Sequence, residues 1–89
     1  MFFDFRFDLN RHKTRIVFFI GAFSIDQAWV IAYKVIRSKG HDPMLADHKS
    51  CQHSTFRPAS MPERGAFAME EEESGVWRII KINIPEENR

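Results

Sequence analysis

The densest group of reactive side chains in the sequence lies in residues 41–53, where His41, Asp42, Asp47, His48, Cys51 and His53 fall within one short stretch. Imidazole, thiolate and carboxylate are the ligands zinc prefers, and His48, Cys51 and His53 supply three of them almost side by side. Structural zinc sites usually join two separated ligand pairs so that the metal closes a loop, whereas these candidates all come from one segment. On a helix His48 and Cys51 would share a face and His53 would point away. The competing reading is a polar surface loop that happens to carry histidines. Cys51 with His48 or His53 as base and Asp47 as orienter also has the side-chain types of thiol catalysis. Such chemistry needs a pocket, an oxyanion hole and an orienting shell, and a chain this short has little interior from which to build them. No P-loop, dinucleotide fingerprint or nucleophile elbow occurs, and the four glycines are too dispersed to cradle a phosphate. The expectation is a protein with no enzymatic activity and no cofactor.

Charge and aromatic content point to binding instead. Basic residues gather at Arg11, Lys13 and Arg15, and again at Lys34, Arg37 and Lys39, while Glu70, Glu71, Glu72 and Glu73 form the one biased run. Basic side chains beside exposed aromatics suit single-stranded nucleic acid. Hairpin tips and helix ends carry such charges routinely, however, and the acidic run opposes a polyanion. That run reads either as a strand protected by charge from edge pairing or as an acidic rim for a basic partner.

Positioning these groups requires a small α+β domain. Phe3, Phe5, Phe7 and Leu9 alternate with Asp4, Arg6 and Asp8, the period of a strand with rings on one face and charges on the other. After a polar connection, residues 15–23 are almost continuously apolar, as in a strand covered on both faces. Ser24-Ile25-Asp26-Gln27 has the form of a capping box and opens a helix over residues 25–39, with Gly40 as its stop. The apolar arc of that helix is roughly 200° wide, about twice what one sheet needs, and leaves Trp29 and Tyr33 on one flank. Residues 40–64 contain Pro43, Pro58 and Pro62 and read as a long irregular segment, with Asp42-Pro43 capping a short helix to about residue 51. Residues 66–72 and 76–84 read as a second hairpin turning near Ser74-Gly75. The order β-β-α-loop-β-β predicts an antiparallel sheet of about four strands with one helix on one face.

The sequence has 89 residues, 44% apolar and 28% charged, and this bounds it to a single domain over residues 1–89. Thirteen Lys and Arg against twelve Asp and Glu leave a net charge of +1, so no bulk field attracts a polyanion or an anionic membrane. The single Cys51 fits a reducing compartment. Charges scattered through the first fifteen residues exclude a signal-peptide core, and no apolar run is long enough to span a bilayer. A cytoplasmic location is expected, with no membrane partner.

Nine Phe, two Trp and one Tyr are spread over more faces than one helix on one sheet can hide. Either residues 40–64 fold back, with Met44, Leu45, Phe56 and Met61 as a lid, or the surplus is an interface to a protein partner or to a second copy. On the interface reading, Trp29, Tyr33 and Trp77 are the apolar anchors. Arg11, Lys13 and Arg15, or Glu70, Glu71, Glu72 and Glu73, are the charged rim.

The junction Ile20-Gly21-Ala22-Phe23-Ser24-Ile25-Asp26-Gln27-Ala28, continuing through Ala32, resembles the strand, small residue and capped-helix junction of short phage-encoded accessory proteins, among them anti-CRISPR inhibitors of compact β-β-α build. The resemblance covers about a third of the chain and implies a phage or plasmid protein that inhibits a host defence complex stoichiometrically by docking on it. It brings no binding residue with it and does not extend into the His-rich segment.

Overall fold

The computed structural model describes residues 1–9 and 13–84. The Phe/charge alternation makes β1 (Phe2–Leu9), with Phe3, Phe5, Phe7 and Leu9 buried. It pairs antiparallel with β2 (Thr14–Gly21) in a register that sets Phe3 opposite Ile20 and Phe5 opposite Phe18. The tip of this hairpin, including Arg11, lies outside the described residues.

Helix α1 (Ile25–Ser38) starts where the capping box places it: the Gln27 N–H donates to Ser24 Oγ at 3.1 Å. Gln27 Oε1 accepts from the Phe23 N–H at 2.8 Å, one residue before the cap, so two otherwise orphaned donors are satisfied. At the other end the Gly40 N–H donates to the Arg37 carbonyl and the His41 N–H to the Ile36 carbonyl. This paired closure needs a left-handed residue, and Gly40 supplies it with φ 85°.

Beyond the helix the predicted layout needs correction. Asp42 accepts from the Met44 N–H at 2.9 Å and caps only the short 3₁₀ turn Pro43–Leu45, not a helix reaching residue 51. The chain then forms β3 (His48–His53), a strand absent from the sequence reading, which pairs antiparallel with β1 from Asp8 opposite His48 to Phe3 opposite His53. Its polar sequence carries no alternation. It is extended because the open edge of β1 offers a ladder of unpaired backbone groups. The second hairpin is β4 (Phe67–Glu73) and β5 (Val76–Ile79), with a register shift between Glu71 and Glu73. The last strand ends at Ile79, five residues before the predicted Ile84. Ile80, Ile82 and Ile84 nevertheless pack against the helix-side core, which explains their alternation without a strand.

The result is a five-stranded antiparallel sheet in the order β3-β1-β2-β4-β5, with one helix. Because β3 and β4 are separated by two strands, their connection must span about 14 Å across the sheet. Residues 54–66 make that crossing over the face opposite α1, so the chain crosses the sheet once on each side. Phe3, Phe5, Phe7, Phe18 and Ile20 meet Ala28, Ile31, Ala32, Val35 and Ile36 of α1 in the larger core. Phe5 and Phe7 stack on Phe18 with ring centroids 5.7 and 5.9 Å apart.

The outer face holds a smaller cluster of Phe19, Phe67 and Met69, with Phe2, Met61 and Trp77 packed against it. Of the four candidate lid residues, Phe56 and Met61 lie on this cluster, whereas Met44 stays 69% exposed and Leu45 49% exposed. Gly21 makes room for this cluster: a Cβ at this position would lie 2.4 Å from the Phe67 ring, which would have to shift. Among the described residues no helix is long and apolar enough to cross a membrane.

Candidate functional site

The outer face carries the arrangement best suited to binding. Pairing of β4 with β5 sets Trp77 opposite Glu71 and Ile79 opposite Met69, which directs all four side chains away from the helix. Trp77 sits edge-on to Phe19 at 6.3 Å and leans against Phe56 of the crossing segment at 5.1 Å, with 47° between the rings. The Ser60 hydroxyl donates to the Trp77 carbonyl at 2.8 Å and ties the crossing segment to β5. Along one side of the indole runs a groove of about 540 Å³ lined by Asp4, Phe56, Arg57, Glu71 and Trp77. Along the other side a second groove, of about 640 Å³, is lined by Ser60, Met69, Ile79 and Lys81. Trp77 is thus a half-buried ridge between two clefts, and Ile79 beside it is 44% exposed.

Two polar groups of the first groove, Arg57 and Glu71, are held in defined positions. Arg57 Nη1 donates to the carbonyls of Ser54 (3.1 Å) and Phe56 (2.8 Å), and its guanidinium lies 4.0 Å from the centre of the Phe2 ring. Glu71, an exposed residue, accepts from the Gly75 N–H through Oε2 at 2.8 Å, which ties the carboxylate to the β4–β5 turn. Asp4 projects from β1 on the face opposite Phe3 and Phe5 and is exposed.

The three aromatic anchors named from the sequence do not share a surface. Trp29 and Tyr33 lie over the opposite face, where Trp29 packs edge-on against Phe5 at 4.9 Å and Tyr33 against Phe7 at 6.1 Å. The flank left uncovered by the predicted four-strand sheet is partly covered by β3: Lys49 donates to the Tyr33 hydroxyl at 2.6 Å, and its ammonium lies 4.9 Å from the ring centre. The charged rims divide as well. Arg11 is outside the described residues, Lys13 is exposed beside the hairpin tip, and Arg15 is bound to Asp8 at 2.8 Å. Glu70 pairs with Lys39 at the end of α1, Glu71 lines the groove, Glu72 pairs with Arg78 at 3.4 Å, and Glu73 is exposed.

Strand alternation separates the zinc candidates. Cys51 and His53 point to the helix side of β3 and His48 to the outer side. Among the described residues no group of three His, Cys, Asp or Glu side chains converges on one point. The His53 ring instead packs on Phe3 at 5.0 Å. Cys51 is half-buried against the larger core, and burial, followed by the Asp4 carboxylate, pushes its thiol pKa above the ordinary 9.0. This is the reverse of the shift that would make a nucleophile.

Asp4, Phe56 and Arg57 are groove residues that the sequence reading did not assign to a site. A signal for Asp4 was available, since the alternation of β1 places it on the same face as whichever β2 residues the helix leaves uncovered. No protein-family model, curated protein or solved structure matches the chain.

Proposed function

We propose that this chain is a small non-catalytic binding protein that acts by docking a protein partner on the outer face of its sheet, around Trp77. One observation carries the reading: a Trp ridge flanked by two clefts stands on the sheet face that the helix does not cover, with Phe56 and Ile79 exposed beside it. Half-buried aromatics bordering clefts, with polar groups at the edge, are the usual make-up of an energetic hot spot. The finer reading is a stoichiometric inhibitor of a host defence complex, and it draws its support from the junction at residues 20–32.

The test is paired capture from the native host with the wild-type chain and with a Trp77→Ala/Ile79→Glu variant. The expected result is a protein retained by the wild type, lost with the variant, and reconstituted from purified components as a stoichiometric complex resistant to nuclease. Equal retention by both forms would overturn the reading, as would a complex that nuclease dissolves.

A second reading has its own observation. Lys34 and Arg37 of α1 line a shallow groove together with Lys81 on the helix side of the molecule, a cationic patch suited to a nucleic-acid backbone. Retardation of single-stranded RNA or DNA at low salt, weakened by Lys34→Glu and Lys81→Glu, would favour it over protein docking. Under the proposal neither nucleic acid is retarded.

A further inference from the structure

We infer that the groove beside Trp77 receives a basic side chain of the partner, arginine ahead of lysine, an inference that rests on reading the outer face as a docking surface. The Trp77 indole and the Phe56 ring, packed together with centroids 5.1 Å apart, form its aromatic side, and its acidic groups are Asp4 and Glu71. Aromatic faces attract a cation through their quadrupole, and a carboxylate alongside supplies the charge-assisted hydrogen bond. Together they complement a guanidinium, which can stack and form a fork at once, better than an ammonium, which acts as a point charge.

The one cation in the lining does not fill this role itself. Arg57 is committed to two backbone carbonyls and to the Phe2 ring. Among the described residues neither Asp4 nor Glu71 forms an ion pair, in contrast to Asp8, Glu70 and Glu72. Of the described acidic side chains on β1 and β4, Asp8, Glu70 and Glu72 are paired, whereas the two that line the aromatic groove, and Glu73 at the turn, are not. A charged group left unpaired beside an apolar wall favours a ligand of the opposite sign.

The experiment follows the Trp77 indole N–H and the Gly75 amide by two-dimensional NMR during titration with the blocked peptide Gly-Arg-Gly-Arg-Gly. Parallel titrations replace arginine with lysine, with neutral citrulline and with glutamate. Saturable shifts at both probes are expected with the arginine peptide, in the order arginine, lysine, citrulline, with none for glutamate. The arginine-to-citrulline loss should be about fivefold or more, the range of a partly desolvated cation–π contact. Asp4→Asn combined with Glu71→Gln should weaken the arginine peptide by a similar factor while the thermal midpoint stays unchanged. Equal binding of arginine and citrulline peptides, shifts that map to α1, or an unaltered affinity of the double variant would each overturn the inference. If that variant still captures the protein partner that Trp77→Ala/Ile79→Glu loses, the basic-side-chain inference falls and outer-face docking stands. If neither variant alters capture, docking on this face falls as well.

Discussion

The two faces of the sheet bury aromatic residues by different means. On the helix side, Phe3, Phe5, Phe7 and Phe18 meet a regular helix whose Ala28 and Ala32 let it approach closely, and the main-core side chains of that layer are almost completely excluded from water. On the outer side, Phe19, Phe67 and Met69 are just as buried, but their cover is an irregular crossing held by a few specific contacts: Phe56 on Phe19, Arg57 on Phe2, and Ser60 on the Trp77 carbonyl. A helix covers a sheet with a continuous apolar stripe, whereas an irregular segment covers it at points and leaves clefts between them. The clefts beside Trp77 arise from that difference.

Substitutions should separate the two layers by magnitude. The largest effect is expected from Phe5→Ala, which removes a ring stacked on Phe18 and touching Trp29; about 3–5 kcal/mol of stability should be lost, read by urea denaturation. Gly21→Ala comes next, because its Cβ must displace the buried Phe67 ring. A loss of about 1–3 kcal/mol is expected, and a neutral result would show that the outer cluster yields easily. Phe56→Ala removes a ring that is 46% exposed and should cost about 1 kcal/mol with an unchanged denaturant slope. A cost equal to that of Phe5→Ala would erase the distinction between core and cover.

The smallest effect concerns Cys51. Its thiol pKa is raised in the folded chain by burial and by Asp4, so the fold is stabilised by this group below pH 9.0, and that contribution is lost as pH rises through the higher folded value. Stability should therefore decline more gently above pH 9.0 in Cys51→Ser, and alkylation of Cys51 should be slower in the native than in the unfolded chain.

Much of the helix-side layer was legible in the sequence because local and tertiary signals agree there. The alternation of β1, the capping box at Ser24 and the stop at Gly40 each have one physical meaning, and each element lies where that meaning places it. Residues 48–53 were not legible, since His48, Lys49, Ser50, Gln52 and His53 carry no apolar pattern and the strand is imposed by the edge of β1. The one available cue was the absence of Gly and Pro between Pro43 and Pro58, a stretch long enough for a strand. The outer groove was hidden for a related reason. Asp4, Phe56, Glu71 and Trp77 come from three separate parts of the chain, and only the order β3-β1-β2-β4-β5 brings them together.

The crossing by residues 54–66 also has a kinetic meaning. The hairpins β1–β2 and β4–β5 are local and can close early, but the seam between them joins Phe19 to Met69, fifty positions along the chain. Closing so long a loop costs entropy before any contact compensates it, so docking of the two hairpins, like the pairing of β3 on β1, is expected to be among the slow steps of folding. Substitutions along that seam should slow folding, whereas those at Phe56, which settles onto the sheet afterwards, should mainly hasten unfolding.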